Sequence, residues 1–143
     1  MNSVMIVDDE SAIRVVLARW LAGEGYEIRE APNAEAALDE LAKSTADVVL
    51  CDVEMPGQGG LWLAAQLRER FPATAIVLAT AVDSIPPTTS FKPGIIEYLV
   101  KPFTRDLVLS AVVHGMEWHA AALARGPAAP ANKEGLKEWL ADD

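Results

Sequence analysis

Short apolar runs alternate along the chain with stretches whose apolar residues recur at helical spacing. Val4-Met5-Ile6-Val7 is an uninterrupted run of the kind a buried strand needs. From about Ser11, Ile13, Leu17, Trp20 and Leu21 fall along one helical face, and Gly23 and Gly25 stop that helix. Tyr26 to Glu30 reads as a second strand. Asn33 to Lys43 reads as a second helix, with Ala37, Leu38 and Leu41 inward. Val48 to Cys51 is a third strand run, followed by a loop from Met55 to Gly60 that Pro56, Gly57, Gly59 and Gly60 mark. A helix over Leu61 to Arg70 closes before Pro72. Ala75 to Ala79 and Ile96 to Val100 supply two more strands, and a long last helix runs from Thr104 or Arg105 to Arg125.

Strands that alternate with helices form a parallel sheet wound by right-handed crossovers. Five strand runs predict an α/β, flavodoxin-like, doubly wound sheet in the order 2-1-3-4-5. One stretch departs from this rhythm. Between Thr80 and Ile95 a fourth helix is due, but Pro86, Pro87, Pro93 and the Thr88-Thr89-Ser90 run oppose it, so that helix is expected to be short, late or absent. The expected organisation is one domain over 1–125, a linker over 126–131 carrying Pro127 and Pro130, and a short helical tail over 132–143. Leu136, Trp139 and Leu140 give that tail an apolar stripe that needs a surface to lie on.

Composition narrows the functions. The 143 residues are 51% hydrophobic and carry a net charge of −9, from 12 basic against 21 acidic side chains. Nucleic-acid binding draws its affinity from Lys and Arg on phosphates, so this segment is not expected to bind DNA or RNA. No apolar run approaches the roughly 20 residues of a membrane span, and Met1 to Val7 lacks the features of a secretory signal. A single cysteine, Cys51, forms no internal disulfide. A cytoplasmic chain is the expectation.

The chemistry sits at strand ends. Asp8 and Asp9 follow the first strand run, Asp52 the third, Thr80 the fourth and Lys101 the fifth. In an open parallel sheet the carboxyl ends of the strands form one edge, where ligands bind at the switch point between strands one and three. Clustered carboxylates repel one another, and a hard divalent cation relieves that repulsion; Mg²⁺ suits oxygen ligands. A metal beside Asp52 would also neutralise the oxygens of an incoming phosphoryl group. Asp52 is then a candidate nucleophile that forms an aspartyl phosphate, with Lys101 pairing one phosphate oxygen and Thr80 donating to another.

Val7-Asp8-Asp9-Glu10, Asp52-Val-Glu-Met-Pro-Gly57, Thr80-Ala81 and Tyr98-Leu-Val-Lys-Pro-Phe103 together resemble the signature of response-regulator receivers in bacterial two-component signalling. The resemblance covers roughly residues 3 to 120. It implies Mg²⁺ held by Asp9, Asp52 and the backbone carbonyl of Glu54, with Asp8 acting directly or through water. It implies phosphorylation of Asp52 by a sensor histidine kinase or phosphotransfer protein, Lys101 as the phosphate-binding lysine before a cis peptide to Pro102, and Thr80 with Tyr98 as a switch pair. The domain would signal rather than turn over a substrate, with a homodimer among its open partnerships. The segment after Ala81 departs from the family pattern and leaves the output surface open.

Two other readings compete. An aspartate-nucleophile phosphohydrolase also uses Mg²⁺, but it wants a second acid two residues beyond its nucleophile and a lid that these short loops do not provide. A binding module with this fold could also go unphosphorylated. Outside the cluster, Cys51 reads as a small buried strand residue. His114 and His119, five apart on one helix, read as solvated or packed rather than as a metal pair.

Overall fold

The parallel sheet is built by five short runs. The three inner ones are almost wholly buried, as a sheet covered on both faces requires, and the two at its edges are partly exposed. A computed structural model describes residues 2–81 and 94–125. Its strands are β1 (Ser3–Val7), β2 (Glu27–Ala31), β3 (Val48–Asp52), β4 (Ala75–Thr80) and β5 (Ile95–Val100). They lie in the order β2-β1-β3-β4-β5, every neighbouring pair parallel, as the alternation predicted. The described helices are α1 (Ser11–Ala22), α2 (Ala34–Lys43), α3 (Gly60–Arg70) and α4 (Arg105–Arg125).

Alternate strand residues feed two cores. Met5, Val7, Val49, Cys51, Ile76 and Leu78 pack with Ala37 and Leu41 of α2 and Leu63 and Leu67 of α3. Val4, Ile6, Val48, Leu50, Val77 and Leu99 pack with Leu17 and Leu21 of α1 and Val108 and Val112 of α4. Each Val, Leu, Ile or Met side chain among these stabilises the fold by about 1.5–3 kcal/mol through burial. Local signals set the helix starts. At α2 the Asn33 side chain accepts the Ala36 N–H at 2.7 Å, which fixes the first turn at Ala34, one residue inside the expected limit.

Two boundaries matter for the site. Asp52 and Thr80 are the last residues of β3 and β4, not the residues after them. Their backbones therefore belong to the sheet, Asp52 opposite Ala79 and Thr80 opposite Val100. The expectation about the fourth helix falls on 82–93, and the linker and tail on 126–143; both lie outside the described residues.

By length and composition alone α4 could cross a membrane, contrary to the reading that no apolar stretch approaches such a span. Here it serves as a core helix. Val108, Ala111, Val112, Gly115 and Ala122 are buried, and a Cβ on Gly115 would already lie 3.0 Å from Val48. His114 Nδ1 meets Glu97 at 2.7 Å, whereas His119 Nδ1 lies 2.6 Å from the Ala73 carbonyl and its Nε2 3.2 Å from Asp47. The two histidines point to different partners, as their angular separation on the helix suggested.

Candidate functional site

The carboxyl ends of β1, β3, β4 and β5 bring Asp8, Asp52, Thr80 and Lys101 to one edge of the sheet. Asp8 follows β1 directly and is 2% exposed; Asp52 closes β3 and is 6% exposed. Charged residues are seldom buried to this degree without partners, and both have them. Asp8 Oδ1 accepts the Glu10 N–H at 2.9 Å, and Asp52 Oδ1 accepts the Glu54 N–H at 3.2 Å. Each carboxylate thus spends one oxygen on the loop that follows its strand. Their other oxygens face the same cation, Lys101 Nζ, at 3.7 Å from Asp8 Oδ2 and 3.2 Å from Asp52 Oδ2.

Electrostatics follows from that placement. Burial raises the Asp8 carboxyl above its ordinary pKa; the Glu10 N–H and Lys101 oppose the rise, while the charges of Asp52 and Asp9 add to it. For Lys101, partial burial disfavours the ammonium, but Asp52 by charge and hydrogen bond, with Asp8 and Glu10, outweighs it and raises the pKa. The lysine therefore stays charged beside the carboxylates. Cys51, in contrast, is fully buried and its thiol is pushed far up, by burial first and then by Asp52 and Asp8. It is an inert strand residue.

Asp9 and Glu10 are exposed, and one carboxylate oxygen from each of Asp8, Asp9 and Glu10 falls within a 4.8 Å cluster. Hard oxygen donors gathered this closely, one of them with a raised pKa, fit a hard divalent cation such as Mg²⁺. Glu10 was named in the sequence motif but given no part; its place in the cluster comes from the turn into α1, where it is the N-cap residue without a side-chain capping bond. Glu54 is exposed and anchored to Asp52 through its N–H.

Thr80 is 1% exposed, and its hydroxyl donates to the Ala81 carbonyl at 3.2 Å rather than to Asp52. Its own carbonyl accepts the Lys101 N–H at 2.8 Å, which ties the end of β4 to the end of β5. The Lys101–Pro102 peptide is cis. Tyr98 is half-buried opposite Leu78 and packs on the α2/α3 side of the sheet, the face that also receives Leu78. Thr80 lies two residues beyond Leu78 and so shares that face.

The loop between β3 and α3 is pressed against the site. A Cβ on Gly60 would lie 2.6 Å from the Asp52 carbonyl oxygen, so glycine lets α3 begin there without displacing that carbonyl. Beside Lys101, Pro102 and Phe103 join Ile13, Val16, Leu17 and Trp20 of α1 around an apolar groove of about 400 Å³.

Comparison with known proteins agrees with this geometry. Residues 4–113 match the family model of the response regulator receiver domain. The chain is 40% identical over 119 residues to the DNA-binding transcriptional regulator NtrC of Escherichia coli K12, covering 80% of this chain but 25% of that protein. It therefore spans about a quarter of that relative's length. Among solved structures, it superposes on the response regulator TrrA of Thermotoga maritima in complex with Mg²⁺-BeF with a TM-score of 0.73, at 35% identity, over 80% of this chain and 99% of that one. The receiver domain of NtrX from Brucella abortus gives a TM-score of 0.74 at 26% identity, over 80% of this chain and 98% of that one.

Proposed function

The chain belongs to the response regulator receiver family, a family of signalling domains, and on that premise we propose that it carries its signal as a phosphoryl group on Asp52. The observation that carries this reading is the shared cation: Lys101 Nζ bridges the buried carboxylates of Asp52 and Asp8 at 3.2 and 3.7 Å on the ligand-binding edge of the sheet.

Asp9 and Asp52 would hold Mg²⁺, with the Glu54 carbonyl as a third protein ligand and Asp8 in direct or water-mediated contact. When bound, the ion supplies positive charge to the equatorial phosphoryl oxygens. The remaining roles belong to the chain. One Asp52 oxygen forms the new P–O bond as the bond from phosphorus to the donor breaks, a P–N bond where the donor is a kinase phosphohistidine; the donor keeps that electron pair. Lys101 already lies within hydrogen-bond reach of Asp52 and passes to a phosphate oxygen as its countercharge. Thr80 gives up its bond to Ala81 to donate to the phosphoryl group, and Tyr98, on the same face, repacks with it. Partial burial of Lys101 and near-complete burial of Asp8 and Asp52 keep these charges in a medium where they interact strongly.

The donor is a sensor histidine kinase or phosphotransfer protein in the cytoplasm, and the apolar groove beside Lys101 gives such a partner a surface next to the acceptor. The acidic balance argues against nucleic-acid binding through this segment. A small acyl phosphate with Mg²⁺ tests the reading: intact protein should gain one phosphoryl group, seen by mass, and Asp52→Asn should gain none. Labelling of that variant at the wild-type rate would overturn the assignment.

A further inference from the structure

We propose that Arg14 is a positioning residue that sets the acidic loop for the metal; the inference rests on the reading of this edge as a metal-assisted phosphoacceptor site. Arg14 lies in the first turn of α1, with its side chain 18% exposed, and its guanidinium is divided between two elements. Nη1 donates to the main-chain carbonyl of Asp8 at 2.5 Å, and Nε pairs with Glu30 of β2 at 3.4 Å. The Asp8 carbonyl is part of the peptide plane joining Asp8 to Asp9. Because that unit is planar, fixing its oxygen fixes the direction in which Asp9 leaves.

The other half of Asp8 is held from the same strand end, its N–H donating to the carbonyl of Ala31, next to Glu30, at 3.2 Å. Thus β2 grips the loop twice, once directly and once through Arg14. The guanidinium has its own carboxylate in Glu30, so it does not take up the loop carboxylates while it immobilises the backbone under them. A ligand loop ordered before binding gives up less freedom on binding.

The sign of the effect separates positioning from charge. Arg14 is a cation near a cation site, so its charge alone weakens metal binding, and removing it would tighten binding. Positioning requires the opposite. Arg14→Met keeps the stem and removes both donors. Titration calorimetry of the full chain with Mg²⁺, well below the melting temperature, should show roughly tenfold weaker binding, the usual loss when a group supporting a metal ligand is removed. A general loss of stability would not change this constant while the protein stays folded. Labelling by an acyl phosphate should slow at low Mg²⁺ and recover at saturating Mg²⁺. Should Arg14→Met fail to fold, Arg14→Lys keeps the charge without the two-pronged grip and should still bind severalfold more weakly. Binding as tight as wild type in whichever variant folds, or tighter, overturns the inference. Wild type and Asp9→Asn keep the two readings apart: if wild type binds Mg²⁺ and Asp9→Asn does not, the site reading stands whatever Arg14 does.

Discussion

Lys101 Nζ lies 3.2 Å from Asp52 Oδ2, and among the described residues its ammonium is the nearest positive charge to two carboxylates that are otherwise buried. Without a metal, the lysine is what makes that burial tolerable. Lys101→Met should therefore lower metal-free stability by about 1–2 kcal/mol, less than the 3–5 typical of a fully buried pair because Lys101 is 27% exposed. Saturating Mg²⁺ should recover much of this by replacing the countercharge. Urea unfolding with and without Mg²⁺ measures both, and a deficit that Mg²⁺ leaves untouched would count against a shared role.

Asp8 should behave in the opposite sense. Its raised pKa means that folding favours the neutral carboxyl, so neutralising it removes a cost at neutral pH. In Asp8→Asn the side-chain oxygen can still accept the Glu10 N–H. Metal-free stability should rise or hold, and the extra stability that Mg²⁺ confers should shrink. A fall of more than about 1 kcal/mol in metal-free urea unfolding would mean that Asp8 is mainly a loop-forming residue.

The sheet order and the acceptor edge were legible because both follow from simple periodicities. Buried runs at Val4–Val7 and Val48–Cys51 could only be inner strands, and parallel strands deliver whatever follows them to one edge. The details at that edge were less legible. Asp52 and Thr80 have backbones in the ladder because their neighbours on β4 and β5 supply partners, which no run of residue types reveals. Glu10 and Arg14 act through the turn into α1 and through Glu30, far off in sequence, so no local spacing could announce them. α4 misled for a different reason. Leu107, Val113 and Leu123 are exposed on a helix that also carries a buried face, so its composition is apolar all round and does not say which side meets the sheet.

Alkaline pH offers a test of packing at the entrance to β2. Burial, and then the charge of Glu24, raise the Tyr26 phenol above its ordinary value of 10.0. Between that value and the folded-state pKa the unfolded chain has released the proton and the folded chain has not. The unfolded state then binds fewer protons, so stability falls as pH rises through this window. Lys101, also raised, loses its contribution in the same direction. Comparing Tyr26→Phe with wild type isolates the tyrosine: the difference in urea midpoint should be flat below about pH 9 and shift in favour of phenylalanine above about pH 10. A flat difference throughout would show that Tyr26 ionises as it does in the unfolded chain.

Gly60 tests whether the acceptor depends on how closely α3 approaches it. The ideal Cβ there lies 2.6 Å from the Asp52 carbonyl oxygen and 3.1 Å from Leu78 Cδ2. Leu78 could yield a few tenths of an ångström, but the carbonyl belongs to β3 and cannot move without moving Asp52. Gly60→Ala should therefore cost about 1–3 kcal/mol, the range for overpacking a close-packed site, and should slow phosphorylation of Asp52 as well. A general glycine effect has the opposite sign and can be subtracted. Gly23 ends α1 with φ −62°, and its ideal Cβ would meet only the carbonyls of Trp20 and Arg19, at 3.4 and 3.5 Å. Gly23→Ala should then be neutral or stabilise by about 0.4–1 kcal/mol through the unfolded chain, with labelling unchanged. If both alanines shift stability alike, the contact with the Asp52 carbonyl does not govern how α3 docks. If Gly60→Ala destabilises the fold yet labels at the wild-type rate, the contact shapes the fold without setting the acceptor.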